Sequence, residues 1–210
     1  MGRREENKAR KRAALLQTGL AMFLDQGVAS ASVEQIAAGA GMARGTFYLY
    51  FDGKDALFEA VIGQFFDPLM AMFDDVEAQL DAAKTPEACL QVYQIMAARI
   101  VMLGMTWRDV VLLVFQEMRG QSVPGLRTRE RALIERITSL TQLAMDRGLV
   151  RKGDARLASL VILGAIERLY YEVLVGDLTL KEPGELATEA TVVLSRILGL
   201  DLEMPRIPVG

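Results

Sequence analysis

Apolar residues recur along this chain at spacings of three and four, the period of a helix, and strand-like alternation is scarce. Leu16, Leu20 and Phe23 fall on one face of a first helix over residues 8–26. Gly27 follows as a C-terminal residue for which a left-handed backbone costs little. Ser32 is placed to open a second helix. With Val33, Glu34 and Gln35 it fits the S-x-x-Q capping box, in which each end satisfies one backbone donor. Ile36, Ala37 and Ala40 carry the apolar face on, and the Gly39, Ala40, Gly41 stretch ends the helix. A short third helix, rich in aromatics, is predicted over 44–51, and Asp52 or Gly53 caps a fourth that begins near Lys54. In this long fourth helix Leu57, Val61, Phe65, Leu69, Phe73, Val76 and Leu80 recur, and Pro68 inside the pattern predicts a kink or a break.

Further helices are predicted over residues 86–103, 105–119, 124–147, 155–176 and 184–199, punctuated by proline and glycine. The expected fold is therefore all-α, with about nine helices and no internal repeat. A three-helix N-terminal domain over 8–53 precedes a helical domain over 54–200, and flexible ends are expected at 1–7 and 201–210.

Composition then narrows the chemistry. A hydrophobic fraction of 51% in 210 residues is ample for a core. The chain holds no His and one Cys, Cys89. That removes Ser-His-Asp and Cys-His catalysis, HExxH zinc sites and multi-Cys zinc sites from consideration. Carboxylate, Lys, Tyr or Ser-Lys chemistry survives the filter. No enzyme is expected, and no catalytic residue, metal or cofactor is assigned. The single thiol suits a reducing cytoplasm.

Charge is uneven. Arg3, Arg4, Lys8, Arg10, Lys11 and Arg12 stand against Glu5 and Glu6, so residues 1–12 carry +4 and the remainder −7. A cationic arm on an acidic body suits local contact with a polyanion, although a solvated helix start has the same look. The apolar stretch from Ala13 to Leu24 loosely mimics a signal peptide, but Gln17 and Thr18 interrupt it and Asp25 follows, so amphipathic helix is the better reading. No membrane span is expected. Arg127, Arg129, Arg131 and Arg136 read as a solvated helix face.

Two short helices joined by a tight glycine-containing turn describe a helix-turn-helix, here at about 32–51. Gly41 tolerates the positive φ that such a turn needs, and Arg44, Gly45 and Thr46 give the third helix a polar start. A dinucleotide-binding glycine loop is a poor alternative, because the glycines follow a capped helix where that loop requires a strand.

The run from Ser32 to Leu57, SVEQIAAGAGMARGTFYLYFDGKDAL, resembles the DNA-binding signature of the TetR family almost position by position. The stretch from Leu15 and Leu16 through Phe23 to Gly27 is similar to that family's first helix. The resemblance is specific over about residues 8–60; beyond them only helical pattern and length match. Ala43 departs from it, standing where the family usually has Ser or Thr, and the missing cap costs about 1 kcal/mol of local stability.

The resemblance implies a DNA-binding regulator of transcription, most simply a repressor released from a pseudo-palindromic operator by a small, largely apolar effector. It implies DNA contacts from Lys8, Arg10, Arg12, Ser32, Arg44, Gly45, Thr46, Tyr48, Tyr50 and Lys54. Arg44 is the candidate for reading guanine, Tyr48 and Tyr50 for phosphates, and Ser32 and Lys54 lie at helix starts that favour phosphate. Phe47 and Phe51 are expected in the core. It further implies an effector pocket, for which Phe66, Met70, Tyr93, Met96, Trp107, Phe115, Glu117, Met118, Glu167 and Tyr170 are the candidates. Glu117 and Glu167 equally suit salt bridges with Arg119 and Arg168. A homodimer is expected through one stripe of Leu157, Leu160, Gly164 and Tyr171 and another of Ala187, Thr191, Leu194 and Leu198. Two alternatives remain. One is a helical small-molecule carrier or enzyme with a vestigial helix-turn-helix. The other is a DNA-binding protein without effector control.

Overall fold

A computed structural model of the chain describes residues 2–118, 124–176 and 183–199, apart from the side chains of 124, 183–187 and 190. Among the described residues there are nine helices and no strand. They are α1 (Arg3–Ser30), α2 (Val33–Gly39), α3 (Arg44–Phe47), α4 (Lys54–Ala82), α5 (Pro86–Thr106), α6 (Arg108–Met118), α7 (Pro124–Asp146), α8 (Ala155–Leu174) and α9 (Pro183–Ile197). They fall into two compact units, one of Met1–Pro68 with Gly104–Glu130, the other of Leu69–Leu103 with Arg131–Gly210.

The first unit holds α1 to α3, the start of α4, and α6. Leu15 and Phe23 of α1, Ile36 and Ala37 of α2, and Leu57, Phe58, Val61 and Ile62 of α4 are buried together with Phe47 and Phe51. Phe23 and Phe58 meet edge to face with ring centroids 5.9 Å apart, a favoured aromatic arrangement. Two glycines set how closely α1 is approached. A Cβ on Gly19 would lie 2.6 Å from Leu57 Cδ2, and one on Gly39 would lie 2.8 Å from Thr18 Cγ2. The interior at buried Gly19 is packed to crystal-like density and has no room for that methyl group, whereas exposed Gly39 would have to displace the Thr18 side chain.

The helices differ from expectation at several points. α1 starts at Arg3, so residues 3–7 are helical where a flexible end is expected; Glu5 and Glu6 sit in its first turn, where carboxylates complement the helix dipole. The 201–210 end lies outside the described residues. Gly27 has the left-handed backbone expected of it (φ 79°), yet helix resumes as far as Ser30. Finally, α4 runs unbroken through Pro68, because buried side chains on both sides of it, Ile62 and Phe66 before and Leu69 and Phe73 after, hold the helix while Pro68 itself faces solvent.

In the second unit, Met72, Phe73, Val76 and Leu80 of α4, Leu90, Tyr93, Met96 and Val101 of α5, Leu140 and Ala144 of α7, Ile162 and Tyr170 of α8, Leu194 of α9 and Leu198 just after it are buried. Carboxylates on α4 meet arginines from α5 and α7. Arg136 reaches Asp74 at 2.6 Å and Glu77 at 2.7 Å, Arg99 reaches Asp75 at 3.0 Å, and Arg147 pairs with Asp81. In the first unit Arg129 likewise spans Glu59 and Asp67 at 3.1 and 2.6 Å. Arg129 and Arg136 are thus partly covered and paired, a correction to the solvated face expected of them. Such half-exposed pairs contribute little stability each, and their geometry fixes helix register instead.

By length and composition α4 and α5 are apolar enough to cross a bilayer, where no such stretch is expected, but half of that stretch in α4 and 39% in α5 is buried.

Candidate nucleic-acid interface and apolar cavity

The interface begins with a capped helix. Ser32 Oγ accepts the Gln35 N–H at 3.2 Å, and Gln35 Oε1 accepts the Ser32 N–H at 3.0 Å and the Ser32 hydroxyl at 2.9 Å. The expected capping box is complete, so the Ser32 side chain is committed within the fold. Gly41 takes the positive φ of 69° that the turn requires. Ala43 gives α3 no side-chain cap, as its methyl group dictates. Regular helix covers only Arg44–Phe47, and turn bonds carry the chain on to Phe51, with Tyr50 N–H donating to Phe47 O at 2.9 Å.

This short segment presents one face outward and one inward. Phe47 and Phe51 are buried, as expected of them, while Arg44, Gly45 and Tyr48 are exposed and Thr46 and Tyr50 half-buried. A Cβ on Gly45 would meet nothing within 4 Å, so the backbone there is open to close approach. The Arg44 guanidinium sits 2.8 Å from Glu34 Oε1 and 5.9 Å from the centre of the Tyr48 ring. A hydrogen bond with Tyr48, then the charge of Glu34, raises its already high pKa. Arg12 lies over the Phe51 ring at 5.2 Å, which ties the basic arm to the same region. Lys8 and Arg10 are exposed on α1, Arg10 donating to Asn7 Oδ1 at 3.2 Å.

The Lys54 side chain is engaged within its own chain. Its ammonium donates to Ala29 O at 2.9 Å and Ala31 O at 2.8 Å, closing the carbonyl end of α1. Sequence reasoning also missed Glu34, because nothing in a spacing of ten residues says that α2 and α3 bring a carboxylate to Arg44.

Glu117 has another structural role in the first unit. Its Oε1 accepts the Val28 N–H at 3.0 Å, just after the Gly27 break, and neighbouring Gln116 donates to Leu24 O at 3.4 Å. Its other expected partner, Arg119, lies outside the described residues.

The second unit contains a cavity of about 40 Å³ lined by eleven residues, among them Phe73, Tyr93, Met96, Leu140, Thr141 and Ile162. Of the ten candidates for a pocket only Tyr93 and Met96 line it. Phe66, Trp107, Phe115, Glu117 and Met118 belong to the first unit, with Phe66 beneath Arg129 at 5.8 Å. Met70, Glu167 and Tyr170 belong to the second unit without lining this cavity. Arg168 pairs with Glu172, one turn on, and stacks over Tyr171 at 5.4 Å. Burial pushes the Tyr93 and Tyr170 hydroxyls above their ordinary range and the Cys89 thiol up to about 11. No cluster of three metal-ligating side chains occurs among the described residues.

The two expected dimer stripes part company. Leu157, Leu160 and Gly164 of α8 are exposed, beside exposed Val161. Thr191 and Leu194 of α9, and Leu198 just after it, are 1–3% exposed, and the two leucines line the cavity. They are core residues of their own chain, which corrects the expectation of a surface stripe; a helix buries its most apolar face first. Ala187 lies outside the residues whose side chains are described.

Residues 15–61 match the model of the bacterial regulatory proteins of the tetR family. The repressor KstR2 of Mycolicibacterium smegmatis is 35% identical over 78 residues, 37% of each chain. The repressor BepR of Brucella suis is 26% identical over 187 residues, 84% of this chain and 87% of its own length. Several curated relatives are matched over only 26–40% of their length. Among solved structures, NalD of Pseudomonas aeruginosa, the secondary repressor of the MexAB-OprM multidrug efflux pump, has a TM-score of 0.70 at 22% identity over 94% of this chain and all of that one.

Proposed function

We propose that this chain, whose residues 15–61 match the model of the bacterial regulatory proteins of the tetR family, is a cytoplasmic, ligand-responsive repressor. It acts as a homodimer on pseudo-palindromic DNA and has no catalytic role. One observation carries the reading: Arg44, Gly45 and Thr46 open a short helix whose opposite face is locked into the core by Phe47 and Phe51. Arg44 supplies the fork of donors that matches guanine O6 and N7, and open Gly45 lets the backbone approach. Tyr48 and Tyr50 donate to phosphates. Lys8, Arg10 and Arg12 add attraction that weakens with salt. Lys54 contributes through its backbone N–H at the start of α4, since its side chain is occupied within the fold, and Ser32, whose hydroxyl and N–H are both taken by the capping box, sets the start of α2 against the phosphates.

Two such helices in successive major grooves require a dimer, and the exposed apolar face of α8 supports one. An effector in the second unit shifts operator affinity only by its differential affinity for the DNA-competent conformer.

The test is binding to the DNA upstream of the protein's own gene across a salt series, beside Arg44→Ala. Tight, sequence-selective binding lost in the variant is the expected result. Weak binding, indifferent to sequence and to Arg44, overturns the proposal.

A further inference from the structure

The cavity of the second unit has an unusual polar economy. Its eleven lining residues carry no formal charge, and only Tyr93 and Thr141 carry a hydroxyl. Thr141 is satisfied: its hydroxyl donates to Ile137 O at 2.8 Å and accepts from Ser159 Oγ at 3.3 Å. Tyr93 is not. The residue is 5% exposed, and its buried hydroxyl has no hydrogen-bond partner among the described residues. The Cys89 thiol, one turn earlier on α5, offers only a weak sulfur interaction. A buried hydroxyl with only a thiol nearby recovers little of the hydration it loses, and native proteins seldom leave one so.

We infer that this cavity takes an uncharged, slender, apolar molecule bearing one carbonyl or hydroxyl oxygen, and that the Tyr93 hydroxyl is its polar anchor. The inference rests on the effector reading above and adds the chemical class of the effector. A carboxylate or ammonium is excluded because its charge would be desolvated among Phe73, Ile137, Leu140 and Ile162 with no counter-ion in the lining. Size argues for a narrow molecule. The cavity of about 40 Å³ is smaller than the ~150 Å³ that holds benzene, so entry requires the lining to give. Met96, unbranched and polarizable, is the lining residue suited to do so.

The probes are 2-hexanone and hexanoate, which share a six-carbon chain and differ in charge. Each is titrated into the full chain at pH 7.5 and followed by ligand-observed NMR. Saturable binding of 2-hexanone is expected, with hexanoate at least about tenfold weaker because its charge has no partner. Tyr93→Phe keeps the ring and removes the hydroxyl, and weakens the ketone about fivefold, the typical yield of one hydrogen bond. Ile162→Trp fills the cavity and abolishes binding; Met96→Trp serves the same purpose if the first variant fails to fold by circular dichroism. Hexanoate as tight as the ketone, ketone affinity unmoved by Tyr93→Phe, or no saturable ketone binding overturns the inference. Operator binding with and without 2-hexanone separates the two readings. Ketone held through Tyr93 that leaves DNA affinity unchanged sinks the effector switch and keeps the anchor. Release of DNA by the ketone, undiminished in Tyr93→Phe, sinks the anchor and keeps the switch.

Discussion

The Glu117 carboxylate accepts the backbone N–H of Val28 at 3.0 Å, across 89 residues of sequence. Gly27, at φ 79°, breaks α1 and strands that N–H without a partner in its own helix. A charged acceptor there does what an N-cap side chain does at a helix start. Glu117→Ala is expected to destabilise the chain by about 1–2 kcal/mol, a drop of roughly 2–4 °C in Tm for each kcal/mol at this size. Glu117→Gln keeps the acceptor oxygen and is expected to recover most of the loss. Thermal melts followed by circular dichroism decide it: an alanine variant that melts with the parent means the bond stabilises nothing.

Arg44 and Glu34 form the second relationship of this kind, on the exposed face. With both side chains more than half exposed, their pair contributes little to folding, so Glu34→Gln is expected to leave the melting temperature unchanged. Its effect lies in DNA binding. Removing a carboxylate beside the phosphates raises affinity for random DNA at low salt, and freeing Arg44 lowers the preference for operator over random sequence. The ratio of the two affinities, measured side by side, is the readout. A ratio equal to the parent's means that Glu34 repels DNA without orienting Arg44.

The expected helices and their order were legible because each carries its own period and its own stop. The Ser32 capping box, the left-handed turn at Gly41 and the uncapped Ala43 were all readable from residue type, since each is a local backbone demand. The buried pair Phe47 and Phe51 was legible too, because aromatic side chains in a four-residue period need a core. What the sequence hid was tertiary. Lys54 closes α1 from 23 and 25 residues away, and Arg129 and Arg136 find carboxylates on α4 more than 55 residues back. Periodicity places a stripe on α9 without saying what it faces, so Leu194 and Leu198 read equally as interface and as core. The kink or break expected at Pro68 is local in the same way: the proline costs one bond, and α4 continues through it with buried side chains on either side.

Cys89 gives a prediction in pH. Burial raises its thiol from an ordinary value near 9.0 to about 11, so the folded state holds the proton more tightly than the unfolded chain. Stability from this group is therefore complete below about pH 9 and falls as pH rises towards 11. Urea unfolding at pH 8, 9, 10 and 11 is expected to show that decline, with Tyr93, also raised by burial, adding to it at the alkaline end. Cys89→Ala removes the thiol's share and flattens the curve between pH 9 and 11. Parallel curves for parent and variant would assign the decline to other groups.

The face of α8 gives the last prediction. Leu157, Leu160 and Val161 are 61%, 42% and 49% exposed, and a Cβ on Gly164 would meet nothing within 4 Å. Leu157, Leu160, Val161 and Gly164 follow one another at spacings that place them on one side of the helix, with glycine allowing a second helix to come close. An exposed apolar face of this kind marks an interaction surface. If it is the dimer interface, one charge placed on it is desolvated twice in the dimer, once from each copy, and faces its own kind across a two-fold axis. Leu160→Glu is accordingly expected to sediment as a monomer at micromolar concentration while keeping its helical circular dichroism, because the side chain leaves its own chain's core untouched. Operator affinity then falls with it, since two recognition helices no longer act together. A Leu160→Glu chain that stays dimeric would move the interface to another face, and a parent chain that sediments as a monomer would remove the dimer from the mechanism altogether.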